Sequence, residues 1–498
     1  LKEIILWEHG HAYQPRRIID GVTEAIREIP GSVSIYVAGE KQAGRNWFEL
    51  MLKPKSVYDL IVKTASGRSM DVEPITLSYL REVNPKVFEE LRRKVLIGET
   101  YFIASLYSHP LLPILVENST LDADVNVTWG LRFFKQAFHE GADLRVIGFW
   151  FSECAYSKES AQLVLKTACR VFGENIRPLF LLDEWQAEGA DPGKIYCMPV
   201  NSIETFVILR FHGLSDAYAF CSDYVWIIEQ LRREIASKSP SVIGVMTDAE
   251  TYGGAYDPHK PALFAQLHEG LKGGMTIGGD KIHVELKTVD KLVDRLGGLG
   301  EVELPDYTAW SDYRKNLLFT AEHPRIESIV ARTAGGLCRW TGYLRGENGK
   351  STNETYFMVF EWVHPVTKKR YVRVVSSIWK IALNTVRRMG STLVRQAVFD
   401  LMGRFVEKET IVEILRTYGD VVLGQKTLDE FLNDFGQVTG KGRRIMALAL
   451  EAYRRANQDS VISCPTFWQN LDTEVSWTAL AYVAGGMALA AKAYHESG

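Results

Sequence analysis

The sequence predicts an α/β fold: a (β/α)-type barrel followed by an α-helical C-terminal domain with an inserted β-hairpin. Three observations predict it. Over residues 1–300, apolar β-rich runs alternate with amphipathic stretches, the pattern of parallel strands joined by crossover helices. Polar residues suited to chemistry cluster just after the apolar runs, not before them, as at the mouth of a barrel. Beyond about residue 310 the texture changes to one hairpin pattern and then successive helices. A chain of 498 residues exceeds one ordinary core. The expected division is a catalytic barrel over 1–305 and a helical domain over 306–498, with the hairpin near 355–376.

The strand candidates are residues 4–7, 32–37, 101–105, 146–151, 178–182, 205–210 and 242–246, with a further strand at 282–286 or 301–304. Seven or so strands, mostly apolar on both sides, suit a closed barrel better than an open sheet. Helices with apolar residues at 3–4 spacing are expected at 85–95, 125–138, 159–171, 223–236 and 261–271. In the second half, 355–363 and 370–375 flank His364-Pro365-Val366-Thr367-Lys368-Lys369 as a hairpin. Helices follow at 378–389, 392–405, 408–417, 427–435, 442–456 and 477–494.

Composition narrows the function. Hydrophobic residues at 46% and charged residues at 24% are those of a soluble globular enzyme. A net charge of -3 leaves no basic stripe for a nucleic-acid partner. Six cysteines without a CxxC spacing make neither a disulfide framework nor a zinc-thiolate site. No apolar run approaches the ~18 residues of a membrane span; the 479–491 stretch, interrupted by Gly485-Gly486, reads as a packed helix. The N-terminal Leu1-Lys2-Glu3-Ile4-Ile5-Leu6-Trp7 is a strand too short for a signal segment, so a cytoplasmic address is expected. The Leu1 start suggests that a leading Met, or more, is missing. The 12 Trp and 21 Tyr suit a sugar-stacking cleft as well as a large core.

Two motifs concentrate the chemistry. Val146-Ile147-Gly148-Phe149-Trp150-Phe151-Ser152-Glu153 and Val242-Ile243-Gly244-Val245-Met246-Thr247-Asp248-Ala249-Glu250 each run a buried strand into an acid-bearing loop. Two acids presented this way can attack and protonate one bond, which is glycosidase chemistry. Other strand ends carry His9 and His11, His109, Asp183-Glu184, and His212 with Asp216.

At these motifs the chain resembles glycoside hydrolase family 57. The matching segments are His9-Gly10-His11-Ala12-Tyr13-Gln14-Pro15; Gly98-Glu99 with Tyr107-Ser108-His109-Pro110-Leu111-Leu112-Pro113; Trp150-Phe151-Ser152-Glu153-Cys154-Ala155-Tyr156; and Asp248-Ala249-Glu250-Thr251-Tyr252-Gly253. Four regions in family order cover most of residues 1–260. Trp310, in Thr308-Ala309-Trp310-Ser311, is the candidate for the fifth. Faint echoes stand at Asn457-Gln458-Asp459-Ser460 and Ser463-Cys464-Pro465-Thr466-Phe467-Trp468.

The resemblance implies an incomplete seven-stranded barrel and a retaining enzyme on α-linked sugars, such as α-1,4-glucans, that hydrolyses or transfers. Glu153 would be the nucleophile and Asp248 the acid/base, with no cofactor or metal and an oligo- or polysaccharide as partner. His9, His11 and His109 would bind sugar hydroxyls, or else fill structural roles. Trp150 is a subsite wall or a core tryptophan. Glu184 and Asp216 bind hydroxyls or hold an arginine such as Arg210, itself a substrate-binding candidate; Glu250 is a substrate-binding candidate whose charge, with that of Glu153, would raise the pKa of Asp248. Trp310 and Trp468 are stacking candidates for which core packing is the better reading. Two alternatives stay open: a metal-dependent barrel deacetylase using His9, His11 and Asp248, and a silent carbohydrate-binding relative.

Overall fold

The computed structural model describes the chain except residues 1, 27–33, 38–39, 44–46, 139–145, 188, 239, 278, 294–299, 311–336, 338–339, 341–342, 346–350, 356, 364–369, 377, 436–437, 439 and 468–473. The fold is mixed α/β. A six-stranded and a five-stranded sheet are built largely from parallel strands, with many helices around and after them. The arrangement is compatible with a (β/α)-barrel-like domain followed by a helical C-terminal part.

Seven parallel segments can be traced in sequence. Lys2–Ala12 pairs with Ser69–Val72, and Ser69–Val72 with Tyr101–Phe102. A parallel bridge from Ala104 to Phe149 reaches Val146–Phe149, which pairs with Arg177–Asp183. Arg177–Asp183 pairs with Ile203–Arg210. The Phe211 amide then donates to the Gly244 carbonyl at 2.8 Å, and Val242–Asp248 pairs back to Lys2–Ala12. The links are a single bridge at Ala104 and one hydrogen bond at Phe211 rather than ladders, and there the two sheets divide.

The strands are apolar because both faces are covered. Val242–Asp248 is buried through Thr247, and Arg177–Asp183 beyond its first residue. Trp7 pairs with Gly244, and a Cβ at Gly244 would lie 2.1 Å from the Trp7 ring. That glycine therefore makes room for the indole that packs the first strand against the 242–248 strand.

The predicted strand at 32–37 does not join this set. Ser34–Val37 instead forms a small hairpin with Glu40–Ala43. Its place is taken by Ser69–Val72, whose polar sequence hides a fully buried strand. The 101–105 run shortens to Tyr101–Phe102. Of the two alternatives at the end of the first half, 282–286 lies in the strand Asp280–Leu286, whereas 301–304 is not a strand beyond the end of the two-residue Gly300–Glu301.

The hairpin Phe357–Val363 with Arg370–Ser376 is present; its turn, 364–369, lies outside the described residues. Helices 378–389 and 392–405 are one continuous helix, Ile378–Met402. Gly390 interrupts the sequence pattern but not the helix; a Cβ there would lie 2.2 Å from a Val483 methyl, so the glycine lets that side chain approach. Among the described residues, no helix is long and apolar enough to cross a membrane.

Candidate active site

Four strand ends converge. His9 and His11 lie two residues apart on one strand, so their rings share a face. Asp71 bonds both: Oδ1 meets His9 Nε2 at 2.9 Å and Oδ2 meets His11 Nδ1 at 2.8 Å. Glu73, two residues on, faces His11 Nε2 at 3.5 Å and bonds His109 Nδ1. The other nitrogen of His109 faces Glu153 Oε1 at 3.4 Å. The rings of Trp150, His11, His109 and Tyr13 stack in series, with centroids 5.0, 4.8 and 4.5 Å apart. This stack fixes the imidazoles in position.

Glu153 sits in an unusual backbone state. It and Cys154 adopt left-handed φ of 60° and 52°, and His109 does so at 60°. Such φ is costly for non-glycine residues and concentrates at functional sites. The turn aims Glu153 toward Trp310, whose Nε1 donates to Oε2 at 2.7 Å, while the Trp310 amide donates to the Glu153 carbonyl at 3.1 Å. Ser463 Oγ donates to Oε1 at 3.5 Å, and the Ser463 amide donates to the His109 carbonyl. The C-terminal half thus contributes directly to this corner.

Asp248 arrives from the opposite side, paired with His11 across the 242–248 strand. Asp248 is itself exposed to solvent, at the end of an otherwise buried strand. The two acids are driven apart. Burial works against the Glu153 carboxylate, but the hydrogen bond and charge of His109, the Trp310 hydrogen bond and the charge of His11 outweigh it and hold its pKa low. Desolvation and the charge of Glu153 push Asp248 up, against His11. Burial, aided by Asp248, pushes the neighbouring Glu250 well up. Burial also opposes charge on His109, yet Glu73 and Glu153 raise it to about 10, so it stands as an imidazolium between two carboxylates.

Residues 3–319 match the family model described as maltose-forming alpha-amylase-like, N-terminal domain. The chain belongs to that family. Its fold is similar to that of an exo-type maltose-forming amylase from Pyrococcus sp. ST04, with a TM-score of 0.73 at 23% identity over 99% of this chain and 80% of that one. Weaker likenesses are to a GH57 branching enzyme from Thermococcus kodakaraensis (TM-score 0.49, 12% identity, 91% and 90% covered) and a 4-alpha-glucanotransferase from Thermococcus litoralis (0.44, 14%, 66% and 45%). No curated protein matches the sequence. The resemblance to glycoside hydrolase family 57 drawn from the motifs agrees with these findings.

In this maltose-forming amylase-like chain the other expected site residues divide. Trp150 is fully buried, so it backs the histidines and does not wall an open subsite. Its indole lies 5.2 Å from that of Trp310, edge to face. Trp310, for which core packing was the better reading, holds Glu153 instead. Arg210 bonds Asp183 and the Met246 carbonyl and lies over the Trp310 ring at 4.8 Å. Neither Glu184 nor Asp216 bonds Arg210 among the described residues, although the charge of Asp216 acts on it. Glu184 accepts from the His212 amide and pairs with Lys238, and Asp216 faces His212 Nε2 at 3.3 Å. Glu250 accepts from Gln14 at 3.5 Å. Trp468 lies outside the described residues.

Asp71, Glu73 and Ser463 were not expected as site residues, and Asp183, noted at a strand end, was given no role. The available signal was the two-residue spacing of Asp71 and Glu73, the same as that of His9 and His11. Cys154 is buried with its thiol pushed well up by desolvation, which leaves no thiolate for attack.

His11, Glu73 and His109 can each offer one atom within 4.8 Å of the others, the one group among the described residues with metal-ligand chemistry. His109, however, already presents both nitrogens to carboxylates and carries the positive charge itself. A metal ion would have to displace that proton.

Proposed function

We propose that this chain is a retaining enzyme of α-linked glucans. Glu153 attacks the anomeric carbon, and Asp248 protonates the leaving oxygen and then deprotonates the incoming acceptor. The opposed environments of the two acids carry the reading: one carboxylate is biased toward its ionised form and the other toward its protonated form, the division of roles that double displacement requires. The seven linked parallel segments support an incomplete (β/α) barrel as its scaffold, with residues 1–305 as the catalytic unit and 306–498 as the helical domain.

The steps follow from the contacts. Glu153 is oriented by Trp310 and His109, so its attacking oxygen is held and its rotamer entropy is lost before substrate arrives. As the glycosidic bond breaks, negative charge builds on the leaving oxygen, and the Asp248 proton neutralises it. Its pKa then falls, because the Glu153 charge that had raised it is consumed in the ester. Asp248 becomes a competent base for the second half. Water as acceptor gives hydrolysis, and a sugar hydroxyl gives transfer.

Maltose formation by the Pyrococcus relative and the family match support an α-1,4-glucan as substrate and maltose as a product. Incubating the chain with maltodextrin and following products by early-time NMR tests this. Initial release of α-configured maltose or oligosaccharide supports it, whereas β-configured product or inert maltodextrin refutes it.

A further inference from the structure

One half-buried arginine on helix Ile378–Met402 has no acid to hold. Arg387 Nη1 donates to the Ile462 carbonyl at 3.2 Å. Its Nε is buried and has no hydrogen-bond partner among the described residues. Nη2, on the same edge of the guanidinium as Nε, also lacks a partner there but keeps accessible surface. No charge offsets the guanidinium, and burial alone pulls its pKa down to about 10. Neighbouring arginines of the helical part are matched: Arg395 pairs with Asp122, Arg416 with Asp124 and Arg454 with Glu451. A half-buried guanidinium without a partner is costly. The edge left open, Nε with Nη2, is one that grips an oxyanion through two parallel hydrogen bonds.

The surroundings narrow what would fit. Arg387 lines a recess of about 40 Å³ together with Asn118, Asn384, Ser463 and Thr466, and it is the one charged residue there among those described. A single water needs roughly 10–15 Å³, so the space takes a few water-sized groups and not a sugar ring. Arg387 also borders a second recess of about 30 Å³, which adds Arg388 and Arg395. The acid of that recess, Asp122, is already engaged by Arg395, Tyr453 and Asn457. Arg388 is exposed and has no ion pair among the described residues. Two guanidiniums without acids beside so small a space suit a phosphoryl group, which brings nearly two negative charges and three acceptor oxygens.

We propose that Arg387 and Arg388 form a phosphate site, filled by inorganic phosphate or by the phosphoryl group of a small ester. The inference goes beyond the catalytic reading and does not rest on it. Ile462, held by Arg387, precedes Ser463, whose hydroxyl donates to Glu153 at 3.5 Å. Replacing Arg387 is therefore expected to disturb turnover with or without an anion, so binding is the readout that isolates the site.

The test is calorimetric titration of inorganic phosphate, and separately of glucose 6-phosphate, into the full-length chain in a sodium chloride buffer of fixed ionic strength. At least one of the two probes should bind saturably at one site, and which one binds identifies the source of the phosphoryl group. Arg387→Gln should weaken that binding about tenfold or more. Arg388→Gln, at an exposed position, should weaken it about threefold, and it decides the matter alone if Arg387→Gln fails to fold.

No saturable binding of either probe, binding that neither substitution weakens, or binding that maltose displaces overturns the proposal. A phosphate site in a chain inert on maltodextrin would sink the catalytic reading and leave this one standing. Turnover without a phosphate site would do the reverse.

Discussion

The loop that carries Glu153 and the loop that carries Asp248 begin alike and end differently. Each follows a buried strand with a glycine in it. The Glu153 loop breaks into left-handed φ and ties its acid to His109, Trp310 and Ser463. The Asp248 loop turns directly into helix Ala249–Tyr252, and no side-chain hydrogen bond to Asp248 is found among the described residues. Donors make the first acid a stable anion. Desolvation, together with the nearby Glu153 charge, pushes the second toward its protonated form, which suits the proposed proton carrier. Chemically similar carboxyls thus acquire opposite proton affinities from the surroundings that their loops supply.

Removing either acid is the harshest way to break this asymmetry. Glu153→Gln deletes the proposed nucleophile and should lower kcat by at least ~10³-fold, measured on maltodextrin with the fold checked by circular dichroism. Asp248→Asn removes the proton donor and should cost about 10²–10⁴-fold. The loss should be smaller on substrates whose leaving group needs no protonation, such as a glycosyl fluoride.

His109→Asn tests how Glu153 is held. Losing a hydrogen bond to a charged group costs about 1.5–3 kcal/mol, roughly 10- to 150-fold in kcat/KM. The pH profile gives the sign. Activity disappears as pH falls and Glu153 is protonated, and again as pH rises and Asp248 loses its proton. Without the His109 charge, the Glu153 pKa rises, so the acid limb should move to higher pH. An unmoved acid limb would contradict the assignment.

Trp310→Phe removes one donor and keeps the ring. It should shift the acid limb the same way at a cost of about 1 kcal/mol. Gly244→Ala should be smallest in catalysis and visible in stability. Crowding against Trp7 should cost about 1–3 kcal/mol, read as a lower Tm, with the pH profile of the folded enzyme unchanged.

The acids were legible in the sequence because each ends an apolar run, and apolar runs between two packed layers are the strongest strand signal available. The strand that carries Asp71 was not. Ser69–Val72 spans four residues, and its polar side chain faces the histidines, so the functional residue erased the apolar pattern that would have announced the strand. The run at 32–37 looked better and formed a peripheral hairpin, because local β preference does not say which strands pair. Ser463 was quoted only as part of an echo, since its approach to Glu153 depends on packing across 310 residues. Trp150 was legible as important but not as buried: an aromatic beside an acid looks the same whether it backs the site or lines it.

The most direct measurement is to trap the intermediate. An α-glucosyl fluoride bearing a second fluorine at C2 or C5 slows the release of a covalent sugar more than its formation, and peptide mass spectrometry then locates the label. The account predicts a single glucosyl ester on Glu153, absent from Glu153→Gln and still formed by Asp248→Asn. A label on Asp248 or Glu250, or turnover of the reagent with inversion and no ester, would contradict it.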